Sequence, residues 1–278
     1  MTGKGLSHGA ITVINAMPTG IGATIGIELK THAEFTPGGD SRKVRIINDP
    51  NEDSKMAEYC VADAFARMEI PEPAGWTLTV NSEIPVSRGL KSSSSACNAI
   101  LSAVFDEYGY SIDGVSLIKI GVGCAKKAGV TVTGSFDDAC GCHFGGLVIT
   151  DNAKNSIIFQ DDIGDYDVIL HVPEKKIRKS AIDRKSFDRY RSAMESAIGI
   201  ADTYPFNAMV INGRIIAESS GLDNSVAEDA LSKGALAAGV TGSGPAVAVI
   251  VEPGSGRGFA KNLGADNVIV TKTRRLHR

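Results

Sequence analysis

Aromatic residues make up only 6% of the 278-residue sequence, with a single tryptophan. No strand candidate interleaves rings with basic residues, which removes the pattern expected of a surface that stacks nucleic-acid bases. A strong net charge is missing too. Lys+Arg total 29 against Asp+Glu 32, for a net charge of −3. Nothing global attracts nucleic acid or an anionic membrane. Long apolar runs are absent as well. Leu6 to Ile27 carries no Asp, Glu, Lys or Arg, yet holds His8, Asn15, Pro18 and four glycines. Ala235 to Val251 is interrupted by Gly239, Gly242, Gly244 and Pro245. Neither reads as a spanning helix or a signal sequence. No N-x-[ST] acceptor occurs, and the five cysteines are an odd number. That favours reduced thiols and a cytoplasmic location. The nucleotide signature G-x-x-x-x-G-K-[ST] is missing, and Gly20-x-Gly22 with Gly26 lies between strands, at a spacing that does not make a dinucleotide motif.

Glycine is what the sequence has in excess: 31 residues, where about 7% of a chain is ordinary. They follow no three-residue period, so collagen is excluded and the glycines are expected at turns and close backbone approaches. With 43% hydrophobic and 22% charged residues, the chain has the make-up of a globular protein with a sizeable core.

Short runs rich in Ile, Val and Thr predict strands at Ala10 to Ile14, Thr24 to Leu29 and Lys43 to Ile47. Alternation predicts another from Trp76 to Ile84, ending at Pro85. Helical spacing predicts Glu52 to Met68, Ser92 to Tyr108, Val115 to Ala128, Asp183 to Ile200 and Ala227 to Ala238. Further strands are expected at Leu147 to Thr150, Ile157 to Phe159, Asp167 to Val172 and Pro245 to Val251, with a turn at Asp151-Asn152. Strands and helices mix without regular alternation, so the fold class is α+β. The division falls near Gly164, giving segments 1–164 and 165–278. The basic tail Lys272 to Arg278 reads as a solvated end.

Three segments carry the candidate chemistry. In Ile84-Pro85-Val86-Ser87-Arg88-Gly89-Leu90-Lys91-Ser92-Ser93-Ser94-Ser95-Ala96, a strand stops at proline, a glycine turn follows and serines open a helix. Free N–H groups and the macrodipole at such a helix start attract anions, and hydroxyls can donate to phosphate or ligate Mg²⁺. Helix capping explains one serine but not four. In Thr133-Gly134-Ser135-Phe136-Asp137-Asp138-Ala139-Cys140-Gly141-Cys142-His143, adjacent carboxylates stand in an apolar stretch. They suit a metal ion, a substrate hydroxyl or a helix N-terminus. Cys140, Cys142 and His143 lack a second ligand pair and read as buried side chains. The third segment, Gly239-Val240-Thr241-Gly242-Ser243-Gly244-Pro245, is a glycine loop rigidified by the strand after it.

In this order and at these intervals the segments resemble the GHMP kinase superfamily of small-molecule kinases. Pro85, Gly89, Leu90, Ser92 and Ser93 match its phosphate loop, P-x-x-x-G-L-x-S-S-A. Within the superfamily, Ser87 to Ala96, Gly134 to Ala139, Gly9-Ala10 and Ile14-Asn15-Ala16 look like the archaeal-type shikimate kinases. The resemblance implies a two-lobed α+β fold, with an N-terminal lobe of ribosomal-protein-S5-like type, a ferredoxin-like C-terminal lobe and an active site between them. It implies ATP and Mg²⁺ as cofactors and phosphorylation of the shikimate 3-hydroxyl by a monomer or homodimer. Homoserine kinase, pantoate kinase and a non-catalytic ligand sensor on the same fold are the competing readings.

Carried over by motif, Asp137 orients the hydroxyl, with Asp138 as the adjacent alternative. Ser93 is the Mg²⁺ ligand. Pro85, Ser87, Arg88, Gly89, Leu90, Lys91, Ser92, Ser94 and Ser95 line the nucleotide phosphates. His8, Asn15, Thr19, Gly242, Ser243 and Gly244 are expected around the substrate. An arginine suits its carboxylate, with Arg191 foremost among Arg88, Arg184, Arg189 and Arg191. Two departures stand out. A lysine found in some relatives falls here at about Ala10, and a metal-binding helix glutamate is replaced near Cys124-Ala125-Lys126-Lys127. On this view the glycine excess bares backbone where phosphates and a small polyol approach.

Overall fold

Strand β2 (Ile21–Pro37) is 17 residues long and organises the first sheet. Along one edge runs β1 (Gly3–Ile14), antiparallel, with a register shift between His8 and Gly9. The other edge is shared. Strand β4 (Trp76–Ser82) pairs with residues 31–37, and β5 (Leu147–Asp151) with residues 21–25. Strand β3 (Arg42–Ile46) adds to β4 in parallel, and β6 (Ser156–Asp161) to β5 antiparallel. A second sheet has the order β10-β7-β9-β8, all neighbours antiparallel. Its strands are β7 (Asp167–His171), β8 (Ala237–Val240), β9 (Val247–Val251) and β10 (Val268–Lys272). The structure, a computed structural model, describes residues 1–50, 52–131, 134–174 and 184–277.

Helices α1 (Lys55–Met68), α2 (Ser92–Glu107), α3 (Gly114–Lys127) and α4 (Phe136–Phe144) cover the first sheet. Helix α2 lies directly on β1. A Cβ at Gly3 would stand 2.1 Å from the Ala103 carbonyl oxygen, and one at Gly5 1.9 Å from that of Ala99. Phe35, Phe65, Trp76 and Phe105 fill the space between helices and sheet. Helices α5 (Arg191–Ile198), α6 (Pro205–Ser220), α7 (Ser225–Ser232) and α8 (Gly256–Leu263) accompany the second sheet. Ile11, Ile25, Val168, Met209, Ile216 and Val249 belong to one apolar core that joins the two sheets.

Several expected elements differ in extent. The segment Asp183 to Ile200 begins as a 3-10 turn, Arg184–Tyr190, and becomes α-helical only at Arg191; Asp183 itself lies outside the described residues. The run Ala227 to Ala238 is not one helix. It turns at Lys233-Gly234 and re-enters as β8, drawn into the sheet by the buried strand β9. Helix α3 forms despite Gly121 and Gly123, because Leu117, Ile118, Val122 and Cys124 are buried along one face. The tail is not a loose end. Thr273 bridges to Ile27, the Arg274 N–H donates to the Gly26 carbonyl at 2.8 Å, and the His277 N–H to the Phe144 carbonyl at 2.7 Å. It fills the gap between β4 and β5 on the edge of β2. Arg278 lies outside the described residues.

Candidate active site

Two helix N-termini meet across an ion pair between Lys91 and Asp138. Helix α2 starts after Lys91, whose φ of 69° is left-handed. The N–H of Ser95 is the first to be satisfied within the helix, by the Lys91 carbonyl at 3.0 Å. The N–H groups of Ser92, Ser93 and Ser94 precede it, as the first turn of any α-helix requires. The hydroxyls of these three serines are part-exposed and have no hydrogen-bond partner among the described residues. Ser95 differs: it is fully buried, and its hydroxyl donates to Thr31 Oγ1 at 2.9 Å. The structure thus divides the four serines into three that face outward and one that anchors the helix to β2. The loop before them, Pro85 to Leu90, buries Leu90 in the core and turns at Ser87 and Gly89, both at positive φ.

Helix α4 supplies the acids. Asp137 and Asp138 occupy its first turn and are each 4% exposed. Asn152, in the turn after β5, brackets Asp137. Its Nδ2 donates to Asp137 Oδ1 at 2.7 Å, and its Oδ1 accepts from the Asp137 N–H at 3.1 Å. Gly22 makes the room: a Cβ there would stand 2.3 Å from Asp137 Oδ2. Asp138 Oδ1 lies 2.9 Å from Lys91 Nζ, an ion pair whose side chains are only 6% and 3% exposed. Removing one member of such a pair costs about 3–5 kcal/mol, because the other charge stays buried.

The glycine loop of the second sheet closes the site. A Cβ at Gly89 would fall 2.2 Å from the Thr241 carbonyl oxygen, and one at Gly242 2.8 Å from that of Gly89. The two loops therefore touch backbone to backbone. Thr12 ties them to β1: its Oγ1 accepts from Lys91 Nζ at 2.5 Å and from the Gly242 N–H at 2.8 Å. Asn15 Nδ2 donates to the Gly242 carbonyl at 2.7 Å, and the Asn15 N–H to Asn212 Oδ1 on α6 at 2.8 Å. Ser243 is buried beside this junction and Gly244 follows at positive φ.

The remaining expected site residues lie apart from this cluster. Thr19 closes a local turn, accepting from the Ile21 N–H at 3.2 Å. His8 faces Glu28, with Nε2 3.8 Å from Oε2. Burial, aided by the Arg274 and Lys30 charges, lowers its pKa to about 4. Arg191 is exposed and lies 4.0 Å from Asp188; Arg189 is exposed near Glu218. Arg88 turns to the second half of the chain, donating through Nε to the Pro173 carbonyl at 2.8 Å and also to the Glu174 carbonyl. Thr133 and the side chain of Arg184 lie outside the described residues.

Sequence reasoning missed Thr12, Asn152, Asn212 and the true direction of Lys91. Only Thr12 left a trace, as a polar residue in the apolar run of β1. Among the described residues no group of three or more His, Cys, Asp or Glu could hold a metal. Cys140 and Cys142 are buried, with thiols pushed up chiefly by burial. A bound Mg²⁺ fits this donor set only as a partner of phosphate oxygens, with serine hydroxyls from the α2 end.

Comparison with known proteins supplies the context. Residues 56–146 match the family model "GHMP kinases N terminal domain". The shikimate kinase of Pyrococcus abyssi is 36% identical over 256 residues, covering 91% of this chain and 92% of that protein. That of Thermococcus kodakarensis is 37% identical over 248 residues, covering 88% and 90%. Among solved structures, the mevalonate kinase of L. major superposes with a TM-score of 0.81 at 13% identity, covering 99% of this chain and 97% of that one. The Methanococcus jannaschii mevalonate kinase gives 0.78 at 16% identity, covering 100% and 98%. These two likenesses concern the fold.

Proposed function

The chain belongs to the GHMP kinase family, and from that premise we infer that it transfers the terminal phosphoryl group of ATP to the 3-hydroxyl of shikimate, giving shikimate 3-phosphate and ADP. The relatives that share about a third of its residues over nine-tenths of its length carry the shikimate assignment. One observation carries the chemistry: a serine-opened helix N-terminus joined to an acidic helix N-terminus through a 2.9 Å ion pair. The first is suited to phosphate and the second to an alcohol.

Phosphoryl transfer asks chiefly for positioning and for neutralisation of charge on the transferred group. On this reading the α2 N–H groups and the Ser92, Ser93 and Ser94 hydroxyls hold the β- and γ-phosphates. The Asp137 carboxylate accepts a hydrogen bond from the substrate hydroxyl, and the proton moves to it as the new O–P bond forms. Asn152 fixes the rotamer of Asp137 through two hydrogen bonds. Mg²⁺, with Ser93 as its protein ligand, would neutralise charge on the phosphate oxygens. We place the reaction between segments 1–164 and 165–278, with the Asn15, Gly242 and Ser243 junction beside the substrate. Among the described residues no helix is long and apolar enough to cross a membrane.

A coupled ADP-release assay across shikimate, homoserine, mevalonate and pantoate tests the reading. Turnover should require shikimate and ATP together. Activity confined to another of these alcohols would replace the substrate and keep the kinase.

A further inference from the structure

Lys91 belongs to the phosphate loop by sequence, but its side chain leaves that loop. An ammonium has three N–H donors. One goes to Thr12 Oγ1 at 2.5 Å and one to Asp138 Oδ1 at 2.9 Å. The side chain is only 3% exposed. The connections continue from both partners. Thr12 Oγ1 also accepts from the Gly242 N–H at 2.8 Å, and the Thr12 N–H donates to Thr241 Oγ1 at 3.0 Å. A Cβ at Gly242 would itself stand 3.1 Å from Lys91 Nζ. One charged atom is therefore shared by the start of α2, by β1, by the first turn of α4 and, through Thr12, by the Gly242 loop.

A ligand of the transferred phosphoryl group would be expected to point toward the open α2 N-terminus, where the Ser92, Ser93 and Ser94 hydroxyls lie part-exposed. Lys91 instead points inward to a buried carboxylate. We propose that Lys91 is a positioning residue: it neutralises Asp138 and fixes the spacing between the phosphate-facing end of α2 and the acids of α4. On this assignment Asp138 is structural and Asp137 is the carboxylate that meets the substrate. The proposal rests on the kinase reading above.

The pairing predicts strong coupling between the two charges, because either single removal takes from the other its buried counter-charge at 2.9 Å, while removing both leaves neither charge behind. The experiment compares wild type, Lys91→Met, Asp138→Asn and the double variant by kcat, KM, equilibrium ATP binding and melting temperature. Lys91→Met should lower kcat by about 100-fold while ATP affinity moves less than about threefold. Adding Asp138→Asn should restore at least about tenfold of the lost kcat and raise the melting temperature above that of Lys91→Met. Should ATP affinity fall more than about tenfold in Lys91→Met and in the double variant alike, Lys91 is a phosphate ligand and the proposal is overturned. Losses that multiply without recovery overturn it equally.

Thr12→Val keeps both charges and removes only the Thr12 hydroxyl that joins Lys91 Nζ to the Gly242 N–H, so it serves if Lys91→Met does not fold. Its kcat should drop at unchanged ATP affinity, and an unchanged kcat would overturn the proposal. A wild-type chain inactive on shikimate sinks the proposed reaction, yet ATP binding and melting across the same variants still decide the pairing.

Discussion

Helices α2 and α4 begin alike and end up with opposite chemistry. Each follows a residue in the left-handed region, Lys91 at φ 69° and Ser135 at φ 51°, and neither has a side-chain cap hydrogen bond. Their first turns then diverge. Helix α4 places Asp137 and Asp138 there, so its positive end is filled by its own carboxylates. Helix α2 has no acidic residue in its first turn, and the hydroxyls of Ser92, Ser93 and Ser94 have no partner among the described residues. The macrodipole is the same at both ends. What differs is the anion: α4 carries its own, and on the proposed reading α2 takes one from the nucleotide. Lys91 joins the two ends by cancelling one of the two acids.

Removing the acid bracketed by Asn152 has the largest expected effect. Asp137→Asn keeps the shape and the Asn152 contact but loses the proposed proton acceptor, so kcat should fall about 1,000-fold. ATP affinity should stay within about twofold if, as proposed, the phosphates bind the other helix. A kcat within tenfold of wild type would take Asp137 out of the reaction. Making α2 resemble α4 comes next. Ser93→Asp gives α2 an acid of its own, worth about 0.3–1 kcal/mol at a helix N-terminus. The same charge repels the nucleotide, and ATP affinity should drop about 100-fold while the melting temperature holds or rises. Unchanged ATP binding, measured calorimetrically, would mean that the phosphates dock elsewhere.

The strands and helices of the first sheet were legible because their periodicities are clean: Trp76, Leu78 and Val80 alternate inward, and α1 turns Cys60, Val61 and Ala64 to one face. The serine-opened α2 was legible for a related reason, since local sequence alone makes a helix start, while the acidic first turn of α4 was only one of three readings of Asp137-Asp138. Helix α6 was missed. It is buried on a broad face that includes Ala208, Met209, Asn212, Gly213, Ile215 and Ile216, which blurs the spacing on which the reading relied. Ala237 and Ala238 read as the end of a helix because alanine favours it, and Gly239-Val240 as the start of a loop; pairing with β9 outweighed both and made Ala237–Val240 a strand. The destination of Lys91 depends on contacts 79 and 47 residues apart in the sequence, as the numbering of Thr12 and Asp138 shows, and no local pattern reports it. The glycine excess was assigned too narrowly. Gly89 and Gly242 do bring the loops of the site together, but Gly3, Gly5, Gly141, Gly213 and Gly239 let helices lie on strands, and Gly22 admits Asp137.

The far ends of the two helices carry the last contrast, and it is one of stability. Helix α2 has no basic residue in its last turn, whereas α4 has His143. A protonated histidine would complement the negative end of α4, but burial, with the Arg274 and His277 charges adding to it, lowers the His143 pKa to about 4. His8 lies near the same arginine and is lowered to about 4 as well. In the unfolded chain each titrates near 6.5. Between those values the unfolded chain binds more protons than the folded one, so stability rises with pH through this window and is fully present above about 6.5. Acidification from pH 7 to pH 5 should therefore cost up to about 2 kcal/mol per histidine. Glutamine at 143 stays neutral throughout, so His143→Gln should remove its share of the acid sensitivity. Urea unfolding of wild type and variant at the two pH values measures the difference. Equal acid losses in both would show that His143 is charged in the folded protein at pH 5, and that α4, unlike α2, does use a cation at its C-terminal end.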